Sequence, residues 1–309
     1  MTHIALVTTA DARTLDDDLA PLADALRACA AEVSIVDWDD TGADWSRFDI
    51  ALLRSPWDYA QRTAEFLMWA AHAHAVTRLL NPLDLVRWNI DKHYLAELAA
   101  HGVAIVPSRF LEPDDEAGAA IDAFLNEHPD AMEFVLKPAV GAGSRDAQRH
   151  ARTARDAAVT HARRLLGEQR SVVLQPYLER VDEVGETALI FFDGQFSHAI
   201  RKGALLKPRS ESTSALFAPE HITARTPDAG ELALAQQTLA AIAAQFRGQP
   251  HEGPPLYARI DLIRDEAGAP RLLELELTEP SLFFTHAAGS AERFARALLA
   301  RASTAVVTD

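Results

Sequence analysis

The stretch Tyr257-Ala258-Arg259-Ile260-Asp261-Leu262-Ile263, followed by Arg271-Leu272-Leu273-Glu274-Leu275-Glu276-Leu277, decides how this 309-residue chain folds. Both halves alternate apolar and polar residues, the period of a strand with one face in a core. Tyr257, Arg259 and Asp261 then share one face of the first strand, and Leu272, Glu274 and Glu276 share one face of the second. Antiparallel pairing about a turn centred between Ala267 and Gly268 matches Asp261 with Glu274 and sets Glu276 one step further along the same face. Three carboxylates drawn together resist ionisation unless a cation sits among them. Oxygen-only donors suit Mg²⁺ or Mn²⁺, and Mg²⁺ usually divides its coordination between a few carboxylates and substrate phosphates. Alone, the same alternation equally describes a solvated face on an edge hairpin.

Working outward from the hairpin, positive charge is distributed unevenly by type. The 30 basic residues comprise 26 Arg and four Lys, namely Lys92, Lys137, Lys202 and Lys207. In a chain that uses Arg for solvated charge, a retained Lys marks a place where a compact ammonium is needed. Lys137 ends the strand-like run Phe134-Val135-Leu136-Lys137-Pro138 and precedes Gly141-Ala142-Gly143-Ser144. A strand aims the ammonium, and a glycine loop lets backbone amides approach phosphate oxygens. No Lys-Ser or Lys-Thr follows these glycines, so the loop is not a P-loop. Lys92 falls in the first turn of a helix predicted over 91–100. Residues 203–227 have little periodicity and read as a long loop; Lys207, Arg209 and Ser210 there, with Lys202 just before it, either close over a substrate or stay solvated.

The N-terminal part alternates predicted strands (4–7, 33–36, 50–53) with helices (15–31, 63–75), the rhythm of a parallel sheet in an open α/β unit. Ligands of such sheets bind beyond the carboxyl ends of strands. Arg54, Trp57, Asp58 and Tyr59 are candidate substrate contacts there, and a cap of aromatic packing with a surface ion pair is the alternative. After the first strand comes Thr8-Thr9-Ala10-Asp11 without a glycine fingerprint, which excludes a dinucleotide domain. Asp193-Gly194 marks a hairpin, and a helix is predicted over 231–246.

A formal net charge of −15 disfavours nucleic acid and anionic membrane surfaces as partners. No apolar run reaches the length of a membrane span, and no basic region with an apolar stretch opens the chain, so no signal peptide is expected. The single cysteine, Cys29, fits a reducing cytoplasm and is expected to be buried in a helix. The histidines form no HExxH pattern, which argues against a zinc enzyme. A homodimer is the default expectation for assembly.

Lys92, Lys137 before its glycine loop, Gln175-Pro176-Tyr177-Leu178, and the Asp…Glu-x-Glu hairpin occur in that order. This order resembles the ATP-grasp superfamily, in its glutathione-synthetase-like branch, over about residues 81–285 and more loosely over the N-terminal unit. The resemblance implies a fold that is α/β and α+β: an N-terminal open parallel α/β domain (1–90), a small lid lobe (91–178) and a C-terminal lobe with a metal site (179–309), the two lobes clasping ATP. It implies that Lys92 and Lys137 touch the nucleotide phosphates under Gly143 and Ser144. It gives Gln175, Tyr177 and Leu178 to adenine, Glu186 to the ribose hydroxyls, and Arg201 to the γ-phosphate or acyl-phosphate, with Arg201 and Lys137 catalytic. Asp261, Glu274 and Glu276 become ligands of Mg²⁺ or Mn²⁺. Two departures stand out: Glu276 occupies a position that is Asn in the glutathione synthetase pattern, and Ser144-Arg145 follows where more glycine is common.

Leu53-Arg54-Ser55-Pro56-Trp57-Asp58-Tyr59, His198-Ala199-Ile200-Arg201-Lys202-Gly203 and Leu273-Glu274-Leu275-Glu276-Leu277-Thr278-Glu279-Pro280-Ser281-Leu282-Phe283 look more specifically like the cycloserine-forming ligases, which close O-ureidoserine into a ring with ATP. The implied activity is an ADP-forming ligase of the carboxylate–amine type acting on a small amino-acid-like molecule, with Arg54, Trp57, Asp58 and Lys202 as candidate substrate contacts. A peptide or amino-acid ligase of other specificity, and a nucleotide-binding relative without turnover, remain the alternatives.

Overall fold

The computed structural model describes residues 1–206, 221–249 and 253–304. Among them the strands form three sheets, and each sheet follows from a change in hydrophobic period along the chain. The first unit runs β1 (His3–Thr8), α1 (Leu19–Ala28), β2 (Glu32–Asp37), β3 (Ile50–Ser55), α2 (Thr63–Val76) and β4 (Arg78–Leu80). Its strands are all parallel in the order β2-β1-β3-β4. Both faces are covered, so β1 and β3 are nearly continuous apolar runs.

Next come α3 (Leu83–Asn89), α4 (Tyr94–Ala100), β5 (Arg109–Leu111), α5 (Ala117–Glu127), β6 (Glu133–Pro138), β7 (Gln148–Ala151), α6 (Arg155–Gly167) and β8 (Val172–Pro176). Here the sheet is antiparallel, β5-β8-β6-β7, with α5 and α6 packed on one face around Phe124, Phe134 and Leu165. The last part comprises α7 (Arg180–Val184), β9 (Glu186–Phe192), β10 (Gln195–Lys202), β11 (Ile222–Arg225), α8 (Ala229–Gln245), β12 (Tyr257–Arg264), β13 (Pro270–Glu276) and α9 (Ser290–Thr304). Its sheet order is β11-β10-β9-β12-β13.

Side-chain alternation gives this third sheet two different neighbours. Ala188, Ile190, Phe192, Ile200 and Tyr257 join α9, α1 and the first sheet in one core. Leu189, Phe191, Ala199, Ile260 and Leu262 face α4 and α8 in another. Helix α4, which falls in the 91–178 segment, therefore packs on the C-terminal sheet. The N-terminus of α8 is closed by a capping box between Asp228 and Glu231.

Several local expectations change. α1 starts at Leu19 rather than at residue 15, because the Asp16 Oδ1 accepts the Asp18 amide at 3.0 Å and makes a turn first. The helix ends at Ala28, with Ala30 left-handed at φ 62°, and Cys29 is exposed rather than buried. Lys92 precedes its helix: Asp91 Oδ1 takes the His93 amide at 3.1 Å, and α4 begins only at Tyr94. β11 occupies part of the span read as a loop, while Lys207, Arg209 and Ser210 lie outside the described residues. No helix among the described residues is long and apolar enough to cross a membrane.

The acidic hairpin pairs as expected in its distal half, with Asp261 opposite Glu274 and Arg259 opposite Glu276. A bulge follows, so that Leu262 faces Leu272 and Leu273 is the extra residue. Leu272 is thereby turned away from Glu274 and Glu276 into the core with Leu275 and Leu277, a correction to the simple alternation. The free edge of β13 is covered throughout. Leu272 exchanges backbone bonds with Ala104 and Val106 (2.8 and 2.9 Å), and Leu275 N donates to the Tyr94 hydroxyl at 2.9 Å. Asn89 donates to Leu275 O at 2.8 Å and accepts from Leu277 N at 2.6 Å. Asn81 Nδ2 bridges Tyr257 O and Leu277 O at 3.0 and 2.8 Å. Asn89→Ala leaves two buried backbone groups unpaired, each costing about 1–3 kcal/mol. The urea midpoint of the ligand-free protein should fall accordingly; an unchanged midpoint would show that the edge of β13 is not held through this side chain.

Candidate active site

A cavity of about 400 Å³ opens where the three sheets meet. Its floor is the bulged hairpin with β9 and β10, its roof is β6, β8 and the glycine loop, and its far end is closed by Asp16, Trp57, Tyr59, Glu279 and Phe283. Three of the four lysines line it, Lys92, Lys137 and Lys202, each largely buried.

These lysines meet the hairpin carboxylates directly. Lys92 Nζ lies 2.9 Å from Glu274 Oε1 and donates to Gly141 O at 3.0 Å, which ties the floor to the glycine loop. Lys137 Nζ stands 3.9 Å from the other Glu274 oxygen. Lys202 Nζ bonds Asp261 Oδ2 at 2.7 Å and also pairs with Glu186. Arg259 holds Asp261 at 2.9 Å and pairs with Glu276. The bulge has a second effect, since Leu273 now lines the cavity together with Val135, Leu178 and Ile263. Apolar side chains there offer a slot for a flat ring.

Charge balance explains the protonation of the floor. Burial pushes the Glu274 carboxyl up, but Lys92 and Lys137 together outweigh it and hold it at about 2. Asp261 is likewise held below the usual carboxylate range, burial being overcome by Arg259 and Lys202. Lys92 is raised, because Glu274 more than offsets its burial, whereas burial and the neighbouring Lys92 lower Lys137. Glu276 and Glu279 go the other way. Burial and mutual repulsion push Glu276 up to about 7 and Glu279 up to about 8.

Among the described residues no group of His, Cys, Asp or Glu side chains is gathered in a metal-holding arrangement. Each hairpin carboxylate is instead turned toward a basic side chain. The donor set nevertheless fits a hard divalent cation: Asp261, Glu274 and Glu276 are oxygen donors on one face, and the raised Glu276 and Glu279 mark negative charge that the lysines leave uncompensated.

The remaining predicted positions divide clearly. Gly143 and Ser144, both left-handed (φ 63° and 58°), line the roof, and Asp146 anchors their loop to Arg164 and Arg170 at 2.7 Å each. Gln175, Tyr177, Leu178 and Glu186 all line the cavity. Tyr177 carries the Arg149 guanidinium 3.5 Å from its ring centroid, and its hydroxyl donates to Asp182 at 2.6 Å. Arg201 is not on the cavity wall: its side chain donates to Val184 O and Glu183 O at the end of α7. Strand alternation sends the next residue, Lys202, inward instead, so the basic group of β10 at the site is Lys202. Trp57 lines the cavity and donates to Glu279 O at 3.2 Å. Asp58 faces outward, accepting from Trp38 Nε1 at 2.8 Å and pairing with Arg62 at 3.2 Å. Arg54 is wholly buried behind the wall and donates to Pro280 O at 2.9 Å. Sequence reading missed Arg259 as a site residue, although it shares the Asp261 face. It also missed Glu279, whose pairing with Tyr59, a candidate substrate contact that does line the cavity, joins segments 220 residues apart in sequence.

Residues 4–81 match the family model for the N-terminal domain of D-cycloserine synthetase DcsG. The chain is 44% identical over 301 residues to the cycloserine biosynthesis protein DcsG of Streptomyces lavendulae, covering 96% of this chain and 98% of that protein. The crystal structure of D-cycloserine synthetase DcsG superposes with a TM-score of 0.92 at 44% identity, over 97% of this chain and 99% of that one. The ATP-grasp ligase PsnB, complexed with a minimal precursor, Mg and ADP, aligns over 97% and 98% of the two chains with a TM-score of 0.63 at 17% identity, which shows a shared ATP-grasp fold.

A pH dependence follows for the metal-free protein. Glu276 and Glu279 titrate higher in the folded state than in the unfolded chain, so the native state binds more protons from about pH 4.5 to 8. Their contribution to stability is full at the acid end and is lost as pH rises through 7 to 8. With chelator present, the melting temperature should therefore decline more steeply over about pH 5–8 in the wild type than in Glu276→Gln. Parallel profiles by calorimetry would rule this out.

Proposed function

The chain belongs to the D-cycloserine synthetase family of ATP-grasp ligases, and from that membership we propose that it uses ATP to close O-ureidoserine into the cycloserine ring. The observation that carries this reading is the Lys92–Glu274–Lys137 bridge, which joins both phosphate-type cations to the acidic hairpin under the glycine loop. The identity to a cycloserine biosynthesis protein over nearly the whole chain supports the substrate.

When bound, Mg²⁺ supplies charge neutralisation between phosphate oxygens, and Asp261, Glu274 and Glu276 are the residues that would hold it. Lys92 and Lys137 would exchange their carboxylate partner for phosphate oxygens and stabilise the charge that spreads during transfer. Gly143 and Ser144 present backbone amides from above. Val135, Leu178, Ile263 and Leu273 enclose the base, with Gln175 and Tyr177 at the hinge and Glu186 toward the ribose. The γ-phosphoryl group passes to the substrate carboxylate with release of ADP, the ureido nitrogen bound to oxygen then displaces phosphate to close the ring, and water removes the carbamoyl group from that nitrogen as carbamate, which falls to CO₂ and ammonia. No protein nucleophile is required: the chain positions the reactants and excludes water. Lys202, rather than Arg201, is the basic residue of β10 on the cavity wall, where it pairs with Asp261 and Glu186 and would be available to the substrate end beside Trp57.

ADP release with O-ureidoserine, coupled to mass detection of the ring product, tests the reading. ADP formation only with other amino acids would overturn the substrate. Glu274→Gln should lower turnover about 10²-fold or more with the fold retained, and Lys137→Ala should raise the KM for ATP or remove activity. Full activity of Glu274→Gln would refute the metal assignment.

A further inference from the structure

Residues 278–284 pass along the far end of the cavity without forming a strand, and their backbone is satisfied almost entirely by side chains from elsewhere. Five consecutive carbonyls each accept from a different side chain. Thr278 O takes the Tyr257 hydroxyl at 3.0 Å, Glu279 O takes Trp57 Nε1 at 3.2 Å, and Pro280 O takes Arg54 Nη2 at 2.9 Å. Ser281 O takes Arg259 Nη1 at 3.3 Å, and Leu282 O bonds His198 Nε2 at 2.8 Å. Three consecutive amides then converge on one carboxylate: Leu282 N and Phe283 N donate to Asp18 Oδ2 at 2.5 and 3.0 Å, and Phe284 N donates to Oδ1 at 2.9 Å. Phe283 takes a left-handed conformation at φ 54°, which lets the three N–H groups point the same way.

We infer that residues 278–284 are a preformed wall that reads the small substrate, and that Asp18 is the positioning residue that holds this wall in place. The inference rests on the proposed function for the identity of the substrate. Alternate side chains, Glu279, Ser281 and Phe283, line the cavity, whereas Leu282 is buried in the core shared with α1 and α9. Asp18, Arg54 and Trp57 come from the N-terminal unit, and Tyr257, Arg259 and His198 come from the C-terminal sheet. The wall therefore exists only where the two parts are docked. Its ordering cost is met before any substrate arrives, which lowers the cost of binding a compact molecule with few groups to grip. Asp18 itself is nearly inaccessible, with a side-chain exposure of 4%, and the buried Arg54 stands 4.0 Å away as its counter-charge. Lys92 and Lys137 are partnered by Glu274 and Gly141, and Asp18 bonds neither of them nor Arg259, which links the wall to Asp261 and Glu276, so a change at Asp18 should leave nucleotide binding largely unchanged.

Asp18→Asn keeps the side-chain volume but replaces one acceptor oxygen with a donor, so at least one of the three amide bonds is lost. Asp18→Ala removes all three. In steady-state assays of Asp18→Asn, the KM for O-ureidoserine should rise about tenfold or more, which corresponds to one lost buried hydrogen bond, while the KM for ATP stays within about twofold. A general structural defect would move both constants together, and that result, or no change in either, would overturn the inference. If Asp18→Ala does not fold, Asp18→Asn alone decides. If the wild type fails to turn over O-ureidoserine, the proposed function falls, and the wall is judged separately by amide exchange with Mg·ADP present. The amides of Leu282, Phe283 and Phe284 should exchange about tenfold faster in Asp18→Asn with nucleotide affinity unchanged; equal protection in both proteins would overturn it.

Discussion

Asp261 is a buried carboxylate and Glu274 a largely buried one, and Arg259, Lys202, Lys92 and Lys137 packed beside them keep them ionised. Neither set could be buried alone, since an isolated charge in the interior costs several kcal/mol. The match is deliberately incomplete in one direction. Burial, reinforced by the neighbouring carboxylates, pushes Glu276 up to about 7 and Glu279 up to about 8. Under the proposed function, Lys92 and Lys137 would turn from Glu274 toward phosphate, and Asp261, Glu274 and Glu276 would be the residues that hold a divalent cation.

That exchange requires the hairpin to stay in place when its ion pairs change partners. The restraint comes from the outer edge of β13, where Asn81, Asn89, Tyr94 and the backbone of residues 104–106 occupy the strand's unpaired groups. The same logic recurs at residues 278–284, where carbonyls and amides are bound by side chains from two docked units. Both segments are held by buried polar groups from other parts of the chain. The ligand-facing parts of the molecule are thus rigid at the floor and the far end, while the glycine loop, tied by Lys92 and Asp146, forms the roof.

Much of this was legible before the structure. Strand alternation brought Asp261, Glu274 and Glu276 to one face, and the scarcity of lysine singled out Lys92, Lys137 and Lys202. The errors have a common physical origin. A single-residue bulge at Leu273 inverted the sense of every residue before it in β13, placing Leu272 in the core and Leu273 in the cavity. Strand alternation also separates neighbours completely, so Arg201 and Lys202, adjacent in sequence, serve opposite faces of β10. Asp58 and Arg54 flank the site without entering it, because the strand end that carries them is followed by a turn whose direction no local pattern encodes.

The sequence by itself determined the alternation of elements, the parallel N-terminal sheet, the acidic hairpin and its register at Asp261 and Glu274, because these depend on the period of side chains along one segment. Only the tertiary structure decided which carboxylates remain ionised, that Lys202 rather than Arg201 lines the cavity, and that Asp18 and Arg54 grip a loop more than 200 residues away. Burial is a property of the packed assembly, and apart from the neighbours Arg259 and Asp261 the partners named here come from segments whose distance is set by docking the three sheets.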